Sequence, residues 1–230
     1  MIENSKIPHK IIWTLQSQIP IDWIKNINVN KFTIEHVPLI NLVQTLNVNQ
    51  IIKIALKFKK IIITSPFASE ILKDILNEDH SIYVVGVKSR KILSGNKLNV
   101  LKCCNSSIEL SQYISKNKND SYLHLCSEKT DFNVWPDNVD CISFYKPKKN
   151  NNFRYKDYLN ISDSTIVFGS PSGADVWFEN NQNDNNLNYA CMGLTTANQI
   201  RKYVKKNSII FPEDSKLDTL IKLITEKINA

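Results

Sequence analysis

Short apolar runs alternate with longer amphipathic stretches along the whole chain. Runs of β-branched and aromatic residues indicate strands, and apolar residues spaced three and four apart indicate helices. The predicted strands are 10–15, 32–41, 59–64, 81–86, 98–101, 121–126, 139–146, 164–169, 188–193 and 208–211. The predicted helices are 47–57, 67–78, 106–116, 171–180, 194–205 and 215–228. This alternation is typical of α/β folds with parallel sheets.

The pattern also contains an internal repeat. "KIIITSPFASEIL" (60–72) resembles "STIVFGSPSGADVWF" (164–178), and "IYVVGVKSRKI" (82–92) resembles "YACMGLTTANQI" (189–200). The aligned pairs are Ser65-Pro66 with Ser170-Pro171, Gly86 with Gly193, and Ser106 with Ser215. Ser106 and Ser215 each begin a predicted capping box. These pairs lie 105, 107 and 109 residues apart and keep the same order. The sequence therefore predicts a pseudo-duplicated pair of α/β halves.

Glycines and hydroxyl side chains collect where predicted strands turn into helices. Four of the five glycines lie at such turns, and the hydroxyl groups there belong to Ser65, Ser89, Ser170, Ser172, Thr195 and Thr196. Taken singly, each of these residues is explained as a helix cap. Helix N-termini also bind anions, and open parallel sheets bind ligands at the carboxyl ends of their strands. The recurrence of these turns therefore favours a ligand site.

Composition narrows the class of protein. The 230 residues are 42% hydrophobic and 22% charged, which is ordinary for one large or two small soluble domains. The apolar runs are too short to span a membrane, and "MIENSKIPHK" has no signal-peptide core, so we expect a cytoplasmic protein. The net charge of +7 suits an anionic partner. A basic balance fits three partners: nucleic acid, an anionic membrane surface or a polyanionic small molecule. Because the lysines are scattered, compositional bias explains much of this charge, and we do not expect specific binding to nucleic acid.

Several common chemistries have no motif in this chain. The five cysteines include no CxxC pair, so we expect them to be reduced and buried. The four histidines show no HExxH spacing, and we expect no metal site. The nucleotide-binding motifs GxGxxG and GxxxxGK[ST] are absent, as is the GxSxG of acyl transfer.

Five segments in order resemble the uroporphyrinogen-III synthase family: "ITSPFASEIL", "YVVGVKS", "ISFYKP", "VFGSPSGADVWF" and "CMGLTTANQI". The resemblance extends over essentially the whole chain. Departures include Leu194 where the family has proline, Ser89 where threonine is common, and "HLCSEKTDF", which lacks the family's glycine and arginine.

The resemblance implies two flavodoxin-like parallel-sheet domains joined by a two-stranded β-ladder. Domain one is expected to comprise 1–35 and 147–230, and domain two 36–146. The strands 32–41 and 139–146 are expected to cross between them. The active site is expected in the interdomain cleft.

The resemblance also implies a lyase of tetrapyrrole and haem biosynthesis that works as a monomer and without a cofactor. Such an enzyme closes the linear tetrapyrrole hydroxymethylbilane to uroporphyrinogen III and inverts ring D, the last ring. The reaction removes the terminal hydroxyl, passes through an azafulvene and a spiro intermediate, and then recloses the ring.

Tyr145, in "SFYKP", matches the family's tyrosine, and the resemblance implies that it donates a proton to the leaving hydroxyl. From the sequence alone, a core tyrosine on a strand is an equally simple interpretation. The residues expected to bind the substrate are Ser65, Gly86, Ser89, Ser170, Ser172, Gly193, Thr195 and Thr196. The alternative hypothesis is a non-catalytic two-domain α/β module that uses the same turns to bind an anionic small molecule.

Overall fold

The computed structural model describes residues 8–26, 31–158, 161–179, 187–204 and 209–229. The strands in this part of the chain are β1 His9–Trp13, β2 Phe32–His36, β3 Ile40–Gln44, β4 Lys60–Ile63, β5 Ser81–Val85, β6 Val100–Cys104, β7 Tyr122–Ser127, β8 Val139–Lys149, β9 Ser164–Phe168, β10 Asn188–Cys191 and β11 Ile209–Ile210. The α-helices are α1 Ile21–Asn26, α2 Val48–Ala55, α3 Pro66–Leu72, α4 Val87–Gly95, α5 Ser107–Ile114, α6 Pro171–Phe178, α7 Leu194–Ile200 and α8 Leu217–Asn229. Short 3₁₀ helices occupy Phe132–Val134 and Tyr155–Tyr158.

The chain divides into two compact units, Met1–Asn41 with Lys148–Ala230 (unit 1) and Leu42–Pro147 (unit 2). Unit 1 contains a five-stranded sheet of order β11-β10-β9-β1-β2. The sheet of unit 2 is six-stranded, of order β3-β8-β7-β4-β5-β6. The neighbouring strands β3 and β8 both run across the boundary between the units, so they carry the chain from one unit to the other.

Both sheets are built mainly from parallel pairs. In unit 1 the pairs β1–β2, β1–β9, β9–β10 and β10–β11 are parallel, and in unit 2 so are β4–β5, β4–β7, β5–β6 and β7–β8. Numbered along its own chain, unit 1 has the strand order 2-1-3-4-5 of flavodoxin-like sheets. The expectation of an α/β fold with two parallel sheets is confirmed.

The two sheets share one spatial order. The order β2-β1-β9-β10-β11 of unit 1 corresponds, strand by strand, to the order β8-β7-β4-β5-β6 of unit 2. This correspondence pairs β4 with β9 and β5 with β10, as the sequence repeat does. The order supports the repeat, which itself stays a prediction.

Each sheet buries side chains on both faces. In unit 1, Trp177 of α6 packs with Phe153, Tyr158 and Phe168, while α8 covers the other face with Leu220 and Ile224. In unit 2, one core includes Ile61, Leu123 and Phe144 beneath α2, α3 and α4, and the opposite core lies beneath α5. Layers of helix on both faces explain why the parallel strands are almost uniformly apolar.

Two predicted elements differ from the structure near the chain crossings and the edge strand. The predicted strand 32–41 is two strands, β2 and β3, interrupted at 37–39, where Pro38 has no N–H to give to a ladder. The edge strand β6 begins at Val100 rather than at 98, after Lys97 adopts a φ of 62° in the preceding turn.

The helix predictions also need correction. Helices α1 and α4 were not predicted, and the predicted helix 67–78 ends at Leu72. The predicted capping box at Ser215 is wrong, because Asp214 instead accepts the Lys216 N–H and the Thr219 hydroxyl. The predicted cap at Ser106 is confirmed, since its Oγ accepts the N–H of Glu109 at 3.1 Å. Residues 180, 205 and 208 of the predicted elements lie outside the described residues.

Two features bear on the chemistry. All five cysteines are free, with Cys104, Cys126 and Cys191 buried. No helix in the described part of the chain is both long and apolar enough to cross a membrane.

Candidate functional site

The predicted site residues fall into two sets, one in each unit. In unit 2, Ser65 and Gly86 follow the parallel strands β4 and β5, and Ser89 lies in the first turn of α4. Tyr145 lies within β8, at the point where the pairing of β8 with β7 ends. The set of unit 1 is Ser170, Ser172, Gly193, Thr195 and Thr196, which follow β9 and β10. Because parallel strands end at the same edge, each set gathers at the carboxyl edge of its own sheet.

Tyr145 and Ser65 form the one side-chain hydrogen bond between these residues in the described part of the chain. The Tyr145 phenolic oxygen lies 2.7 Å from the Ser65 Oγ, and either hydroxyl can be the donor. Ser65 is also the N-cap of α3, where its Oγ accepts the N–H of Ala68 at 3.1 Å. The cap fixes the serine rotamer, and the serine in turn orients the phenol.

A β-bulge directs Tyr145 toward Ser65. The register between β7 and β8 pairs Cys126 with Ser143 and then Ser127 with Tyr145, so Phe144 has no partner. Regular alternation would put Tyr145 on the face of Cys141 and Ser143. The extra residue instead lets Phe144 and Tyr145 enter the same core, against α3. The N–H of Glu128, which donates to the Tyr145 carbonyl at 2.9 Å, holds the bulged strand.

The phenol of Tyr145 is held in its neutral form. Only 4% of the residue is exposed, and the Phe67 ring lies 4.9 Å from the tyrosine ring. Burial raises the pKa of Tyr145, and the hydrogen bond with Ser65 partly offsets that effect. The group therefore carries a proton at physiological pH and can donate it.

The turn into α4 combines a special backbone with an unpaired hydroxyl. Gly86 has a φ of 86° and caps α4 without a side-chain hydrogen bond. A residue with a Cβ would be strained in that conformation. Ser89, two residues into the helix, is fully buried, and its Oγ has no hydrogen-bond partner among the described residues. The first-turn N–H groups of α4 thus have no side-chain cap.

In unit 1, Ser170 repeats the construction seen at Ser65. Its Oγ accepts the N–H of Gly173 at 3.3 Å, and Pro171 begins α6. Ser172 is half-buried. Asp175 of the same helix accepts the Gln199 amide of α7 at 2.5 Å. This contact ties together the two helices that begin with the predicted residues.

The turn into α7 depends on close packing rather than on an unusual backbone. Gly193 is extended, but a Cβ there would lie 2.8 Å from the Ser215 Oγ, just before α8. Thr195 is exposed and Thr196 is buried. Neither threonine side chain makes a hydrogen bond with the rest of the described chain. The Thr195 hydroxyl is therefore accessible to a ligand, whereas Thr196 is only 5% exposed.

A polar row that the sequence did not single out lies on the opposite face of the unit 2 sheet. His124 of β7 is fully buried, and its Nε2 lies 3.0 Å from the Thr64 Oγ1. Its Nδ1 lies 3.7 Å from the Cys141 Sγ of β8, and its ring lies 4.5 Å from Trp135. Burial lowers the pKa of His124 to about 3. The one signal in the sequence is a histidine inside the apolar strand "YLHLCS".

No group of three or more histidine, cysteine or acidic side chains that could hold a metal occurs among the described residues. Each set, within its own unit, offers hydroxyl groups and helix N-termini, and the set of unit 2 adds a phenol. These groups can bind an anion and move one proton.

The fold is that of solved uroporphyrinogen-III synthases. The uroporphyrinogen-III synthetase of Helicobacter pylori matches with a TM-score of 0.67 at 15% identity, over 95% of this chain and 99% of that chain. A mutant uroporphyrinogen III synthase of Thermus thermophilus matches at 0.62 and 10% identity, over 96% and 98%. The wild-type Thermus enzyme matches at 0.52 and 12% identity, over 96% and 99%. No family model and no curated protein matches the sequence.

Proposed function

We propose that this chain is a lyase of the uroporphyrinogen-III synthase type, which cyclises hydroxymethylbilane to uroporphyrinogen III with inversion of ring D. The observation that carries the proposal is the Tyr145–Ser65 hydrogen bond at the carboxyl edge of a parallel sheet, in a fold shared with those synthases. A buried neutral phenol is a proton donor, and the reaction requires one proton at the leaving hydroxyl.

In this proposal Tyr145 acts as the general acid. Its phenol gives a proton to the terminal hydroxyl of the substrate, the carbon–oxygen bond breaks, and water leaves. The lone pair of a pyrrole nitrogen drives this step and forms the azafulvene. Ser65 donates a hydrogen bond to the phenolate while it lasts, which stabilises the developing negative charge.

Ring inversion follows from the geometry of the bound substrate. The last ring attacks through its substituted carbon, and the spiro intermediate fragments and recloses through the free carbon of that ring. The proton lost when the ring regains aromaticity restores the phenol, so the sum of the steps is the loss of one water. The protein contributes mainly by holding the reacting carbons in place.

The remaining predicted residues are proposed to bind the substrate's carboxylates. Gly86 and Gly193 precede α4 and α7, and the first-turn N–H groups of these helices are one kind of donor. The other kind is the hydroxyl groups of Ser89, Ser170, Ser172, Thr195 and Thr196. The net charge of +7 favours the same class of ligand. We further propose that the protein needs no cofactor and acts as a monomer in the cytoplasm.

The test supplies hydroxymethylbilane to the purified protein and separates the isomers of the product. We expect the type III isomer, formed faster than the spontaneous closure. Formation of the type I isomer alone, at the spontaneous rate, would contradict catalysis. Tight substrate binding with that result would support the non-catalytic binding module instead.

A further inference from the structure

We propose that His124 is a positioning residue for this reaction: by holding Thr64 it fixes the adjacent Ser65 and, through Ser65, the hydroxyl of Tyr145. The inference rests on the proposed function. His124 touches no reacting atom in it, and its effect passes through two hydrogen bonds.

The row of Thr64, His124 and Cys141 ties three strands together beneath the candidate site. Thr64 follows β4, His124 lies in β7, and Cys141 lies in β8 directly opposite His124 in the register. The two contacts of the imidazole, 3.0 Å to the Thr64 Oγ1 and 3.7 Å to the Cys141 Sγ, join its two nitrogens to different strands. The row therefore sets the position of the end of β4 against β7 and β8.

Thr64 and Ser65 are consecutive residues that serve opposite faces of the sheet. Successive residues of extended backbone point to opposite sides. Thr64 contacts His124 on the face of Trp135, while Ser65 contacts Tyr145 on the face of Phe67. A shift of Thr64 consequently moves Ser65 relative to the phenol.

The chemistry of a neutral imidazole suits this role. A neutral histidine has one N–H donor and one nitrogen acceptor, so it satisfies two different partners at once. Thr64 and Cys141 each carry a group that can donate or accept, and either tautomer of His124 completes both contacts. Full burial of the ring and its contact with Trp135 leave the imidazole little freedom to move. Replacing it would leave the Thr64 hydroxyl without its partner.

The decisive experiment is a double-mutant cycle. Thr64→Val and His124→Gln are each made in the wild-type protein and in Tyr145→Phe, and kcat and KM for type III formation are measured. We expect each change to lower kcat about tenfold in the presence of Tyr145, with KM within about twofold, because small displacements of a catalytic group cost one to two orders of magnitude. In Tyr145→Phe the same changes should cost almost nothing further. Equal losses in both backgrounds would overturn the proposal.

Two control variants separate positioning from general loss of packing. Thr64→Ser keeps the hydroxyl and should keep kcat near the wild-type value. Ser111→Ala removes another hydroxyl hydrogen bond of unit 2, from the Ser111 Oγ to the Val134 carbonyl at 2.6 Å, and should leave kcat unchanged. A tenfold loss of kcat in Ser111→Ala would show that the loss of any hydrogen bond in unit 2 has the same effect. That result would contradict the proposal.

A second readout does not depend on turnover. The phenol carbon of Tyr145 is observed by ¹³C NMR of tyrosine-labelled protein, with Tyr145→Phe used for its assignment. Thr64→Val should shift this resonance, whereas Ser111→Ala should not. An unmoved resonance overturns the positioning role even in an active enzyme. If the wild-type protein forms only the type I isomer, the proposed function fails, while the NMR result still decides whether the row orients Tyr145.

Discussion

At the scale of single residues, the account depends on the phenol of Tyr145. We predict that Tyr145→Phe lowers kcat by about 10²- to 10⁴-fold, the usual contribution of a positioned general acid. The change should leave the protein folded, because Ser65 keeps its cap contact with Ala68 and the ring keeps its place beside Phe67. The measurements are steady-state kinetics and a thermal unfolding curve. An unchanged kcat would refute the acid role.

His124 makes a separate prediction about acid stability. Its pKa is lowered to about 3 by burial, whereas in the unfolded chain it titrates near its ordinary value of about 6.5. Between these two values the unfolded state binds more protons, so this contribution to stability is complete above about pH 6.5 and declines as the pH falls toward 3.

Protonation of His124 in the unfolded chain is expected to lower the free energy of unfolding by about 2 kcal/mol between pH 7 and pH 5. The test is urea unfolding of the wild type and of His124→Gln, each at pH 7 and at pH 5. The contribution of His124 is the loss of unfolding free energy in the wild type minus the loss in the variant. His124→Gln should be less stable at pH 7 but should lose less stability on acidification. Parallel losses in the two proteins would show that His124 is not the responsible group.

At the scale of elements, the start of α4 is set by the backbone of Gly86. We predict that Gly86→Ala lowers the free energy of unfolding by about 1–2 kcal/mol, because a residue with a Cβ disfavours the positive φ of this position. Gly95→Ala, at the other end of the same helix, is the matched control. A Cβ added there would meet open space, so the change should be neutral or stabilising by up to about 1 kcal/mol. Urea unfolding measures the change in unfolding free energy for Gly86→Ala and for Gly95→Ala. Equal changes in the two variants would contradict a special role for the backbone of Gly86.

The element scale also shows what the sequence could and could not predict. Ser65-Pro66 and Ser170-Pro171 predicted two helix starts correctly, because a capping hydroxyl followed by proline is a local signal. Helix α4 is not predictable in this way, because it buries only Ser89 and Leu93, which leaves a weak apolar pattern. The bulge at Phe144 has no local signal, since its effect depends on pairing with β7.

The placement of the candidate residues was predictable to the same extent, because parallel topology gathers strand ends at one edge of each sheet. That these residues bind or act on a ligand stays a prediction. The contact between Tyr145 and Ser65 was not foreseen, because the two residues are 80 positions apart and meet only through the bulge. The contacts of His124, from which its proposed role is inferred, were not predictable either, because no spacing in the sequence reveals its partners, Thr64 and Cys141.

At the scale of the whole molecule, the net charge of +7 predicts that binding of the proposed substrate is sensitive to salt. Binding of a polycarboxylate should weaken as salt screens the attraction. We expect KM to rise several-fold between about 0.05 and 0.5 M NaCl while kcat stays within about twofold. Kinetics across this range, with matched sulfate-free buffers, measure the effect. A KM independent of salt would mean that charge contributes little to binding.

The proposed function requires that this protein direct closure of hydroxymethylbilane toward the inverted isomer. Its most direct test measures the isomer ratio of the product as the protein concentration is raised against a fixed amount of substrate. We expect the type III fraction to rise from the spontaneous background to nearly all of the product. A ratio that stays at the spontaneous value at every protein concentration would contradict it.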